Sequence, residues 1–214
     1  MIFGSDGERA LQERYGTAKR AAQFYQLQVL DHLNELMRAF IAERDMMFVA
    51  TADSRGNCDN TFRAGTPGFV RVADSRTLYY PEFRGNGVMA SQGNISENGH
   101  VGLLFLDFSG TRVGLHVNGA ASIVETADLP LALDEGDFVL PHATGSERSR
   151  LDRWIRVDVH EAYIHCSKHV PRLERIQTER RAAPRGGEVR DGDFFRVRRQ
   201  RLGTADDPAL LKTT

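Results

Sequence analysis

The 214-residue chain is predicted to fold as a mainly β (α+β) protein, an antiparallel sheet closing into a barrel, with an N-terminal helical arm and short helices between strands. Three observations predict it. Apolar residues recur every three or four positions up to Arg44, and that period ends at Met46. Six or so short apolar runs then follow, separated by turn-rich clusters. The gaps between most of these runs lack the helical patterns that βαβ units require.

The arm covers residues 1–45, where Leu11, Tyr15, Ala18, Ala22, Tyr25, Val29, Leu33, Leu36, Phe40 and Ile41 form one helical stripe. Gly16 divides it, Thr17 is placed to cap the second helix, and Asp31 is expected to cap a later one. Met46–Thr51 reads as the first barrel strand, and the turn residues Asp53–Asn57 return the chain as a hairpin through Asp59–Ala64. Further strands are expected at Gly68–Ala73, Thr77–Tyr80, Val101–Phe108 and Val113–Val124, with helices at Gly87–Ser96 and Ala127–Val139. The last strand, Trp154–His165, alternates Ile155, Val157, Val159 and Tyr163 on one face with Arg156, Asp158 and His160 on the other.

A barrel domain is expected over residues 46–171 and an Arg-rich extension over 172–214. Residues 172–201 hold ten Arg and five acids, which leaves the rest of the chain acidic although the whole carries a net charge of -1. The interspersed acids and scarce aromatics read as a solvated tail, and nucleic acid is not an expected partner. Hydrophobic residues are 41% of the chain and mean hydropathy is -0.41. That composition excludes whole-chain disorder, and no run approaches the roughly 18 apolar residues of a membrane span. Residues Met1–Asp6 lack signal-peptide features, so the protein is expected in the cytoplasm, with Cys58 and Cys166 as free thiols.

Chemistry concentrates in three segments. In Thr61–Val70, Gly65 and Gly68 flank Pro67 in a turn that brings backbone N–H groups near anything lying there, with Arg63 and Thr66 as further donors. In Tyr80–Gly87, Arg84-Gly85-Asn86 precede a helix, where exposed N–H groups and the helix dipole favour an anion. The third segment, His165-Cys166-Ser167-Lys168-His169, carries one of only three lysines among 28 basic residues. Metal binding is not expected, because His160 and His165 fall on opposite strand faces and no paired-ligand spacing occurs. The absence of GxSxG, GxxxxGK[ST] and GxGxxG removes the common hydrolase, P-loop and Rossmann readings.

Taken in order, Phe48–Asp53, Gly65–Val72, Arg84-Gly85-Asn86, Asn94-Ile95, Val101–Phe105, Val117-Asn118-Gly119-Ala120 and His165-Cys166-Ser167-Lys168 resemble the pyridoxamine 5'-phosphate oxidase-like flavoproteins. The resemblance covers residues 31–172. It implies a split β-barrel that forms a homodimer with FMN at the subunit interface. It also implies Arg63, Thr66, Arg84, Gly85 and Asn86 at the flavin phosphate and Lys168, with His165, close to the flavin. The implied activity is an FMN-dependent oxidoreductase passing a hydride or electrons between a small substrate or NAD(P)H and the flavin, with Trp154 or Phe69 as candidate walls for the ring. No catalytic acid or base is assigned, since the flavin carries the chemistry. The chain lacks the Arg-x-Leu-x-Pro ending of the enzyme that names the family, so a reductase or oxidase of unassigned substrate is expected. A deazaflavin coenzyme on the same fold and a nonenzymatic flavin- or haem-binding protein are the alternatives.

Overall fold

Each change of apolar period becomes a change of element in the computed structural model, which describes residues 3–83, 85–130 and 151–174 together with Phe195 and Val197. The chain divides into two units, Met1–Glu174 and Arg175–Thr214. Arg84, most of the Arg-rich extension and residues 131–139 of the helix expected at Ala127–Val139 lie outside the described residues. Within the described part of that helix, only a 3-10 turn at Thr126–Asp128 forms.

The arm, residues 1–45, comprises three helices and a two-residue strand, and it divides at Gly16 as expected. α1 (Asp6–Arg14) is capped by Ser5, whose Oγ accepts from the Glu8 N–H at 3.2 Å. Gly16, at φ +67°, supplies the left-handed residue that turns the chain into α2 (Ala18–Gln28). Thr17 stands at the N-cap of α2, but its side chain makes no capping bond. β1 (Val29–Leu30) follows, a two-residue strand too short for any period to reveal. The next helix, α3 (Glu35–Ala42), is capped by Asn34, whose Oδ1 accepts from the Met37 N–H at 2.9 Å. This corrects the assignment of Asp31, whose carboxylate is instead engaged by His32 and Arg76.

The remaining strands are β2 (Met46–Ala52), β3 (Cys58–Ala64), β4 (Arg71–Val72), β5 (Thr77–Phe83), β6 (His100–Leu106), β7 (Gly114–Glu125) and β8 (Leu151–His165), with α4 (Ala90–Glu97) between β5 and β6. They form one antiparallel sheet in the order β3-β2-β6-β7-β8-β5-β4, and β1 adds to β8. Among the described residues no backbone ladder joins the two ends of this order. The barrel is therefore split, and side chains of β3 and β5 meet at the seam. Its interior is filled by Met47, Val49, Leu78, Tyr80, Leu103, Phe105, Val117, Ile155 and Val157, closed by Leu33 and Ile41 at one end and Ile95 of α4 at another. Removing this apolar surface from water, at about 25 cal/mol per Å², drives closure.

Three local departures from the expected strands have physical causes. The run Gly68–Ala73 pairs only at Arg71–Val72, because Gly68 turns at φ +81° and Phe69 and Val70 fold into the core. β5 runs on through Pro81 to Phe83. Its second neighbour β4 ends opposite Tyr79, so Pro81 lies past the ladder that would need its missing N–H. In β8 the pairing steps from Asn118↔Glu161 to Gly119↔Val159, which makes His160 an extra, bulged residue. The alternation reverses there: Ala162 joins Ile155, Val157 and Val159 inside, and Tyr163, expected on that face, stands outside and stacks on His116.

Candidate functional site

Two pairings of β3 with β2, Thr61↔Val49 and Arg63↔Met47, place Thr61 and Arg63 on the same sheet face as two core residues. At the seam that face meets β5, where Glu82 follows the buried pair Tyr79–Tyr80. The loop Gly85–Met89 and the first turn of α4 close the space above. The result is a crevice of about 860 Å³ lined by β3, β5, this loop, α4 and Arg153 of β8, within the usual range of ligand sites.

A chain of hydrogen bonds crosses its floor. Arg63 donates from Nε to Glu82 Oε1 at 3.0 Å and from Nη2 to Oε1 and Oε2 at 2.8 and 3.1 Å. Its Nη1 donates to Thr61 Oγ1 at 2.7 Å and to the Phe62 carbonyl at 3.2 Å. All three guanidinium nitrogens are thus engaged by the protein. Gln92 of α4 bonds the same carboxylate, and its Oε1 accepts from Arg153 Nη1 at 3.4 Å. Glu82 is only 4% exposed. Burial raises its pKa above the ordinary carboxyl value, and the Arg63 charge offsets part of the rise. Beneath it the Tyr80 hydroxyl is fully buried with no hydrogen-bond partner among the described residues. Burial, and then the Glu82 charge, push its pKa up.

The opposite wall offers donors. Met89 takes a left-handed φ of 56° at the N-cap of α4 and supplies no side-chain cap, and the first-turn residues Ala90, Ser91 and Gln92 line the crevice. Asn86 Oδ1 accepts from the Val88 N–H at 3.0 Å and shapes the loop. Ser91 Oγ lies 3.1 Å from Asp59 Oδ2. Backbone N–H groups at a helix start, with Ser91, Gln92 and two arginines nearby, fit a phosphate-bearing cofactor by the chemistry of the donor set.

Of the residues singled out in the sequence, Arg63, Gly85 and Asn86 line this crevice together. Arg84 lies outside the described residues. Thr66 does not line it: its carbonyl accepts from Phe69 N–H at 2.9 Å in a tight turn. The turn's glycines serve packing there. The Gly65 and Gly68 N–H groups donate to the Asp45 and Arg44 carbonyls, and a Cβ on Gly65 would meet Phe69 Cβ at 2.4 Å. Phe69 and Trp154, candidate walls for a ring, are core residues at 1% and 0% exposure.

His165 and Lys168 also lie away from the crevice. His165 Nδ1 is 2.9 Å from His116 Nε2, and Lys168 is exposed in the 3-10 turn Ser167–His169. His116 stacks on Tyr163 with ring centroids 4.7 Å apart. Burial, and then His165, hold its pKa below the ordinary imidazole value. Sequence reasoning missed Glu82, Gln92, Arg153 and His116. The pairings Glu82↔Arg153 and His116↔Tyr163, which cross distant parts of the chain, bring three of them into place, and α4 carries Gln92.

With this geometry in hand, the family described as pyridoxamine 5'-phosphate oxidase matches residues 33–166. Among solved structures, a candidate pyridoxamine 5'-phosphate oxidase from Lactobacillus delbrueckii is 19% identical, covers 64% of this chain and 99% of its own, and has a TM-score of 0.47. HupZ of Group A Streptococcus is 18% identical over 66% of this chain and 99% of its own, at a TM-score of 0.43. The heme storage protein HutZ from Vibrio cholerae is 16% identical over 62% and 93%, at 0.43. No curated protein matches the sequence.

Proposed function

The chain belongs to the pyridoxamine 5'-phosphate oxidase family, and on that premise we propose that it is an FMN-dependent oxidoreductase that holds the cofactor's phosphate in the crevice between β3, β5 and α4. The observation that carries the reading is the convergence of Arg63, Gly85 and Asn86, from a strand and a separate loop, on one crevice beside an uncapped helix start. When bound, FMN supplies the capacity to accept and release a hydride or single electrons.

The protein's part is placement. N–H groups of the Gly85–Met89 loop and the α4 first turn orient the phosphate, and Arg63 and Arg153 offset its charge. Thr61 holds the Nη1 edge of the Arg63 guanidinium and so keeps its charge on the crevice floor. The same reading makes the protein a homodimer. The exposed Phe62, packed edge-on against Phe48 on the outer sheet face, supports it, because such apolar surface favours burial against a second copy. His165 and Lys168, away from the crevice, would serve it only across that interface.

Purified protein is expected to be yellow and to release a compound with the mass of FMN, and steady-state assays with NADH, NADPH and oxygen then identify donor and acceptor. A colourless protein that binds a deazaflavin or haem but not FMN refutes the proposal.

A further inference from the structure

We propose that Glu82 is an internal anion that occupies Arg63 until a phosphate-bearing ligand enters the crevice, and that it takes up one proton from solvent as Arg63 turns to the ligand. This rests on the assignment of the crevice to FMN. The argument starts from saturation: every guanidinium nitrogen of Arg63 already donates within the protein, at 2.7 to 3.2 Å. A phosphate can gain this arginine only by displacing an acceptor, and Glu82 holds the Nε and Nη2 edge that suits bidentate binding. Charge leads to the same place. The charged residues described in the lining are Asp59, Glu82, Arg63 and Arg153, two of each sign. A dianion entering this space stands against a carboxylate that is almost fully buried, where repulsion is weakly screened.

Proton uptake relieves that repulsion. The Glu82 carboxylate becomes a carboxylic acid, Arg63 stays a cation, and no electrons move. Burial already biases Glu82 in this direction. The groups facing it are Arg63 from β3, Gln92 from α4, with Arg153 of β8 behind it, and Tyr80 on its own strand. Between pH 7 and 8.5 burial keeps Tyr80 neutral, and a phosphate monoester with its second pKa of about 6 remains a dianion. Glu82 is then the group in this set whose charge changes.

The test titrates FMN by fluorescence on the full-length chain at pH 7 and 8.5, wild type against Glu82→Gln, with calorimetry of wild type in two buffers of different ionisation heat. Wild-type affinity is expected to fall with pH, by at most about tenfold per unit, the limit for one proton. Glu82→Gln is expected to bind more tightly at pH 8.5 and to lose most of the dependence. Calorimetry of wild type, which requires no variant to fold, is expected to show net proton uptake. FMN binding without proton uptake overturns this inference and leaves the FMN assignment standing. Weaker binding by Glu82→Gln at pH 8.5 would make the carboxylate a support for Arg63 and also overturns it. If FMN does not bind at all, the assignment and the inference fall together.

Discussion

Replacing Arg63 by Met separates the cost of the seam's ion pair from the value of its shape. Glu82 loses three donor contacts at 2.8 to 3.1 Å and keeps its bond from Gln92, while its side chain remains about 5% exposed. Stripping one partner from a buried pair costs about 3–5 kcal/mol; because Arg63 is itself 20% exposed, the low end, about 3 kcal/mol, applies. For a domain of this size that is a fall in Tm of about 6–12 °C at pH 8. The pH dependence follows in sign. Without Arg63 the folded carboxyl titrates above its unfolded value of 4.5. Protonation therefore protects the variant below that value, and its deficit grows as pH rises through the folded pKa. Thermal melts followed by circular dichroism from pH 5 to 8 measure this. The double variant Arg63→Met with Glu82→Met, which removes both charges, is expected to recover most of the loss at pH 8. A single variant whose deficit is the same at pH 5 and pH 8, or a double variant no more stable than the single, refutes the account.

Asp107 gives the opposite pH signature. Burial of its carboxylate opposes ionisation, but the Ser109, Gly110 and Thr111 N–H groups at 2.6 to 3.1 Å and the Thr111 hydroxyl donate to it and together hold its pKa well below the ordinary carboxyl value. Its contribution is present above the unfolded value of 3.8 and is lost as pH falls toward the folded one. Asp107→Asn should therefore cost about 2–3 kcal/mol at pH 7, and denaturant melts should show the gap between wild type and variant narrowing progressively as pH falls below 3.8. Gly119→Ala places a Cβ 2.2 Å from the Asp158 carbonyl oxygen. A Tm drop of about 5 °C or more is expected from overpacking at the bulge, and a wild-type melt would remove that role for the glycine. Asn34→Ala removes the α3 cap, an expected loss of about 1 kcal/mol in urea unfolding.

Local pattern carried much of the architecture because the deciding forces are local. The change from helical to alternating period at Met46 marks the true start of β2, and the Asp53–Asn57 cluster is a turn in which Asp53 accepts from the Arg55 and Asn57 N–H groups. Asp31 and Asn34 are both good cap types. The choice falls to Arg76, a distant residue that engages Asp31. The crevice shows the same division. Arg63, Gly85 and Asn86 were legible because an Arg beside a glycine-flanked turn and a Gly-Asn pair before a helix start are the local makings of an anion site. Glu82 was not, since a single acid on a strand has no pattern, and its meaning depends on the partner it meets across the seam.

The sequence by itself determined most of the order of elements, the barrel class, the family and three residues of the crevice lining, Arg63, Gly85 and Asn86, all of which depend on residues close together in the chain. Tertiary structure alone decided the phase of β8, where the bulge at His160 opposite Gly119 turns Tyr163 outward. It alone also decided the state of Arg63, an available donor beside a turn by its local sequence and a saturated one in the fold. The physical reason is shared. Register and ion pairing are set by contacts between segments tens of residues apart, and burial, which exists only once those segments meet, fixes which charges must be matched.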